Sequence, residues 1–225
     1  MMGAPVLAIV PFLSTLTSSE YLKMPLAGRT ALAWTLGQLV EELPDADIVL
    51  TTDDDTVARS MQPDFPSVKF FRRTELAYEM SLIEVLEAHN DDAQIVAVFE
   101  PTHPFRPRGL ASRTVSNLFQ RPELESIVCV RQFGGNLWQI GGRGEIEVIA
   151  SLEEKGTFFQ ELRGLGLATR PHVLRAGRRI GDNVGFEVVD DLWSSIDVRD
   201  SEGFERVYAL SERLVAAIQE DSRGT

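Results

Sequence analysis

"VLAIVPFLSTLTSSEYLKMPLAGRTAL", residues 6–32, decides the fold class. An apolar run ends at Pro11, a polar loop follows, and an apolar helical pattern begins near Thr30. Strand, loop and helix in that order open an α/β unit. Folds that hold phosphate at such a loop fill it with glycines and a basic residue, so that N–H groups and a cation face the anion. Here the loop carries the hydroxyls of Ser14, Thr15, Thr17, Ser18 and Ser19, and no basic residue appears before Lys23.

Working outward, short β-branched runs alternate with helical patterns, which predicts a mostly parallel sheet with helices on its faces. Strands are expected over 6–11, 47–51, 68–71, 94–99 and 126–131, and helices over 31–42, 56–61, 81–89 and 109–119. Trp34, Leu36, Leu39 and Val40 mark the apolar face of the helix over 31–42. After Arg131 the glycine pairs read as turns beside strands over 137–140 and 146–150, a small antiparallel excursion within 134–170. A late strand over 186–189 and a closing helix over 201–219 follow. Phe204, Val207, Tyr208, Val215 and Ile218 are expected on the buried side of that helix. With no internal repeat and no linker, one domain over 1–225 is expected.

Bulk composition narrows the partners. The chain has 225 residues, 44% of them hydrophobic, and a net charge of −12. That charge argues against a nucleic-acid polymer or an anionic membrane, both of which need a basic face. A small anion held by a few local arginines remains compatible. Cys129 is the only cysteine, which excludes disulfides within the chain and fits a reducing cytoplasm. The apolar stretch over 5–13 is too short to span a bilayer and lacks a basic leader.

In an open parallel sheet, ligands bind beyond the carboxyl ends of the strands. That rule selects the hydroxyl loop, Thr51-Thr52-Asp53, Arg72-Arg73, and the stretch from Glu100 through Thr102 and His103 to Arg106. Late in the chain, Asp197 sits between apolar Ile196 and Val198, where a strand-end carboxylate can hold Mg²⁺ together with substrate phosphates.

Five segments in this order resemble the acylneuraminate cytidylyltransferase family. They are "PLAGRTALAWTL" (25–36), "TTDDDTVA" (51–58), "RRTELA" (72–77) with Ser81 after it, "EPTHPFR" (100–106) and "RIGDNVGFEVVDDLWSSIDV" (179–198). The resemblance covers nearly the whole chain. It implies a Rossmann-like nucleotide-diphospho-sugar transferase fold and a reaction in which CTP gives CMP to an acidic sugar, with Mg²⁺ as cofactor. It further implies that Arg72 and Ser81, with Ser14, Thr15 and Lys23 of the first loop, seat the nucleotide. Glu100, Thr102, Arg106 and Arg163 would face the sugar, and Asp197 would be the catalytic metal ligand. A homodimer through 134–170 is also implied.

The chain departs from the family at three places. Phe12 and Leu13 stand where the family's loop begins with a small residue and an arginine. Arg199 replaces the second metal aspartate, and Arg163 replaces the asparagine of the sugar segment, matched at "RGLGLAT" (163–169). Charge-assisted bonds are about twice as strong as neutral ones, so hydroxyls do not replace loop cations like for like. Two further readings therefore stay open: a catalytically impaired binding or regulatory subunit, and a nucleotidyltransferase with a different acceptor. Residue-level alternatives also stand. Arg72 and Arg106 read equally as structural charges, His103 as a turn residue, "DDD" (53–55) as a helix start, and Asp200 as a substitute carboxylate.

Overall fold

In the computed structural model, residues 5–221 are described except 17, 76, 135–136, 141, 143–144, 151–157, 192–193 and 195. The chain begins with β1 (Val6–Phe12), α1 (Ser19–Lys23), the short strands β2 (Pro25–Leu26) and β3 (Arg29–Thr30), and α2 (Ala31–Glu42). Then come β4 (Asp47–Thr52), α3 (Asp55–Met61), β5 (Lys69–Arg72), α4 (Tyr78–His89), β6 (Ile95–Val98) and α5 (Leu110–Gln120). The second half holds β7 (Ser126–Phe133), β8 (Leu137–Ile140), β9 (Ile146–Ala150), β10 (Phe158–Glu161) and β11 (Leu167–Thr169). It closes with α6 (Pro171–Arg175), β12 (Val184–Val188) and α7 (Ser201–Asp221).

Every residue of β1 is buried, and its side chains alternate between two cores as a pleated strand requires. Ala8, Val10 and Phe12 pack with Leu32, Leu36 and Leu39 of α2, and with Phe204 and Val207 of α7. Leu7 and Ile9 face the other way, toward Leu82, Val85 and Leu86 of α4. Each such side chain contributes ~1.5–3 kcal/mol by leaving water, so β1 anchors both faces of the sheet. The α2 helix begins where Thr30 accepts a hydrogen bond from the Ala33 amide at 3.1 Å, a side-chain cap.

The main sheet has eight strands in the order β10-β7-β11-β6-β1-β4-β5, with β12 beside β7. β1 runs parallel to β4 and β6, as β4 does to β5 and β12 to β7. β10 and β11 are the exceptions: both run antiparallel to β7, and β11 is wedged between β6 and β7. The chain bulges out between β10 and β11, because both pair with successive stretches of β7. That bulge, residues 162–166, reaches the carboxyl end of β6, where the Glu100 amide donates to the Gly164 carbonyl.

Several expectations need correction. The antiparallel excursion is narrower than 134–170: only β8 and β9 form a separate pair, while β10 and β11 belong to the main sheet. Tyr208 is 60% exposed and stacks on Phe204 at 5.9 Å instead of packing inward. The side chains of Val215 and Ile218 lie outside the described ones. Asp197 stands in irregular chain outside any strand. Among the described residues no helix is long and apolar enough to cross a membrane.

Candidate functional site

The carboxyl ends of β1, β5 and β6 frame a cavity of about 220 Å³ whose lining includes Phe12, Ser18, Arg73, Tyr78, Glu100 and Thr102. On one side stands the hydroxyl loop. The Ser14 amide donates to Asp53 Oδ1 at 2.7 Å and its hydroxyl to Asp53 Oδ2 at 2.8 Å. The Ser19 hydroxyl donates back to the Ser14 carbonyl at 2.7 Å. This loop is therefore held by a protein carboxylate. Thr15 is exposed. Lys23 pairs with Asp54 at 3.1 Å and lies over the Phe12 ring.

Glu100 is the centre of the opposite side. Its Oε1 accepts from the Tyr78 hydroxyl at 3.0 Å, and its Oε2 from Arg199 Nη2 at 3.2 Å. Burial, and then the neighbouring Glu100 charge, pushes the Tyr78 phenol far above its ordinary value, so it stays a neutral donor. The Arg163 guanidinium lies 5.6 Å above the Tyr78 ring, within cation–π range. Thr102 is buried, and its Oγ1 has no hydrogen-bond partner among the described residues.

Asp197 reaches this centre through Arg199. Its Oδ1 accepts the Arg199 amide at 3.1 Å, and its Oδ2 lies 3.2 Å from Arg199 Nε. The Val198 amide donates to the Thr102 carbonyl at 2.9 Å, which straps this stretch onto the loop after β6. α7 then starts against it. A Cβ on Gly203 would stand 2.1 Å from the Asp197 carbonyl oxygen, so only glycine admits that approach. Burial raises the Asp197 carboxyl to about 6 in spite of Arg199 beside it. Asp200 is no substitute metal ligand: its Oδ1 accepts the Gly203 amide at 2.7 Å and caps α7.

Below the cavity Arg106 clamps the main chain. Its Nε donates to the Leu165 carbonyl at 2.7 Å, and Nη1 to the His103 carbonyl and Thr35 Oγ1. Nη2 donates to the carbonyls of Glu100 and Gly164. All five N–H groups thus have protein partners, and burial lowers its pKa only to about 10, which leaves it charged at neutral pH. His103 Nε2 lies 3.0 Å from the Arg163 carbonyl. Burial, with Arg106 next, pushes His103 down to about 3. Its 3.9 Å approach to Asp197 is therefore that of a neutral ring and not an ion pair.

Of the expected residues, the structure brings Glu100, Thr102, Arg163 and Asp197 around one centre, with Ser14 across from them. Arg72 sits apart on the sheet edge, its side chain 63% exposed and paired with Asp55. Arg73 turns inward in its place, and its Nε donates to the Glu75 carbonyl at 2.7 Å. Strand alternation is the signal that separates the two arginines. Arg106 is a structural clamp, and Ser81 is fully buried and donates to the Tyr78 carbonyl at 2.7 Å. No local sequence signal marks Tyr78, the first residue of α4.

The residues present do not fit a bound Mg²⁺. Magnesium takes oxygen ligands at about 2.0–2.1 Å, yet three of the four carboxylate oxygens of Asp197 and Glu100 already accept protein hydrogen bonds and the fourth, Asp197 Oδ2, pairs with Arg199 Nε at 3.2 Å. Among the described residues no group of three or more His, Cys, Asp or Glu side chains converges as a metal site. A larger cavity, about 370 Å³, lies between α2 and the 104–108 loop, and of the expected residues it touches only Arg106.

No protein-family model matches the sequence, and no curated protein matches it. Solved structures do. A 4-diphosphocytidyl-2C-methyl-D-erythritol synthase from Anaerococcus prevotii is 16% identical, with a TM-score of 0.69 over 92% of this chain and 98% of its own. A CMP:2-keto-3-deoxy-manno-octonic acid synthetase, solved in complex with CTP, is 14% identical over the same shares, also with a TM-score of 0.69. This chain has the nucleotidyltransferase fold. A further 4-diphosphocytidyl-2C-methyl-D-erythritol synthase is 14% identical, with a TM-score of 0.67 over 93% of this chain and 99% of its own. Within the nucleotidyltransferase fold, the cavity after β1, β5 and β6 lies where ligands of open α/β sheets bind.

Proposed function

We propose that this chain is a cytidylyltransferase that takes CTP and transfers CMP to an acidic sugar of the nonulosonic class. The observation that carries the reading is the gathering of Thr102, Arg163 and the Asp197–Arg199 pair around Glu100, at the carboxyl edge of this fold. The named activities of the similar structures, two diphosphocytidyl synthases and one synthetase held with CTP, support the nucleotide. Arg163, without an ion-pair partner among the described residues, supports an acceptor with a carboxylate.

In this reading a sugar hydroxyl attacks the α-phosphorus, the new P–O bond forms, and the bond to the β-phosphate breaks to release pyrophosphate. The hydroxyl proton passes to Glu100. The protein contributes alignment and charge neutralisation, which dominate phosphoryl chemistry. Incubation with CTP and a panel of sialic-acid-like sugars, followed by pyrophosphate release, tests it. Turnover with at least one acid supports the reading, and none across the panel refutes it.

One observation favours a second reading, a nucleotide-binding or regulatory subunit without turnover. The donors of Ser14 face Asp53 and the charge of Lys23 faces Asp54, so neither is free for phosphates. Tight CTP binding by calorimetry with no pyrophosphate from any acceptor selects it. A homodimer through 134–170 belongs to either reading, and light scattering that finds only monomer at micromolar concentration removes it.

A further inference from the structure

We propose that Arg199 is the resident cation of this cleft: it holds Asp197 and Glu100 where a divalent metal ion would otherwise sit, and it excludes that ion. This inference deepens the cytidylyltransferase reading, and its first test stands independently of that reading. Arg199 engages both acids at once, through Nε to Asp197 Oδ2 and Nη2 to Glu100 Oε2, each at 3.2 Å. Nη2 also donates to the Arg163 carbonyl, which fixes the plane of the guanidinium. The remaining Asp197 oxygen takes the amide of Arg199 itself, and the remaining Glu100 oxygen takes Tyr78. A divalent ion would have to displace one residue from two carboxylates and a carbonyl together.

Two carboxylates with one divalent ion sum to zero, whereas the same two carboxylates with one guanidinium sum to −1. Arg199 thus supplies half of the positive charge that a divalent ion would bring, without any ion from solution. Nη1 has no protein partner among the described residues, and the side chain is 39% exposed, so it can reach an anion entering the cleft. A guanidinium grips phosphate or carboxylate oxygens bidentately but offers no vacant coordination position. The ligand class is therefore an anion that arrives without its own chelated metal, or leaves it behind.

Mn²⁺ alone, followed by electron paramagnetic resonance, is the first probe. The expected result is no binding to the wild-type chain and binding to Arg199→Asp. Arg199→Gln, which frees the two acids without adding a third, is expected to bind more weakly than Arg199→Asp and serves if that variant does not fold. Wild-type Mn²⁺ binding abolished by Asp197→Asn overturns the proposal. So does failure of both folded Arg199 variants to bind the ion. Calorimetry with CTP is the second probe. Wild-type affinity is expected to agree within about twofold between Mg²⁺ and EDTA, while Arg199→Asp loses at least about tenfold in EDTA and regains it with Mg²⁺. Wild-type CTP binding that requires Mg²⁺ overturns the proposal. If CTP binds neither protein in either buffer, the nucleotide reading fails, and the Mn²⁺ result alone decides the role of Arg199.

Discussion

Gly164 and Glu100 hold each other at the mouth of the cleft. The Glu100 amide donates to the Gly164 carbonyl over 2.9 Å, and a methyl group on Gly164 would stand 2.8 Å from Glu100 Oε2 and 3.0 Å from Arg199 Nη2. Gly164 also has a φ of +92°, a conformation that L side chains rarely adopt. Gly164→Ala is expected to cost ~1–3 kcal/mol of stability by strain and crowding, read by urea denaturation. It should also displace Glu100 and, on the proposed cytidylyltransferase reading, weaken CTP binding more than the stability loss explains.

Arg106→Lys is expected to be far from conservative. The ammonium keeps the charge but cannot donate to four carbonyls and the Thr35 hydroxyl in one plane. Leaving buried carbonyls without donors should cost ~3–5 kcal/mol. A lower urea midpoint with an unchanged slope would confirm it, and a midpoint equal to wild type would show that the clamp carries no stability.

The hydroxyl loop hangs on one side chain. Asp53→Ala removes both acceptors of Ser14. Hydrogen bonds to a charged group contribute ~1.5–3 kcal/mol, so amide exchange at Ser14 should quicken by about tenfold or more. Exchange along β1 should stay unchanged.

Acid sensitivity has a specific source away from the cleft. The His172 ring nitrogen at 3.1 Å, then the amides of Asn183 and Asp182, hold the Glu125 carboxyl at about 2, below its ordinary 4.5. A depressed carboxyl stabilises the fold fully above the unfolded value, and that contribution fades as pH falls from 4.5 through about 2. Glu125→Gln should therefore flatten the stability–pH curve between those values, as followed by denaturant midpoints.

Burial pushes the Cys129 thiol up to about 12. Iodoacetamide at pH 8 is expected to leave the native chain unmodified and to label it fully once unfolded, since the thiolate is the reactive form. Mass spectrometry decides between the two.

Most of the scaffold was legible because hydrophobic period reports burial directly. The span of α2, the parallel strands β1, β4, β6 and β7, and the β8–β9 pair fall at or within a few residues of their expected places. The hidden parts lack that period. β11 is a three-residue strand in a glycine-rich stretch, too short for alternation to register, although it fills the gap between β6 and β7. At the site, Glu100, Thr102, Arg163 and Asp197 were readable from their place after strands or in matched segments. What Arg106 and Arg199 do was not, because their partners lie on remote segments and a charged residue looks the same in a clamp as in a binding pocket. Residue 106 meets 164 and 165, and 199 meets 100 and 163.

The antiparallel wedge of β11 has a consequence for the order in which the molecule is made. In a purely parallel sheet each binding loop trails its strand, so half of such a pocket can form as soon as half of the chain has left the ribosome. Here residues 162–166 lead into β11, and Arg199 comes later still, so a nascent chain carries Glu100 and Thr102 for about a hundred residues of synthesis before Val198 and Arg199 exist to meet them. Assembly of this cleft is thereby postponed until residue 199 has been made.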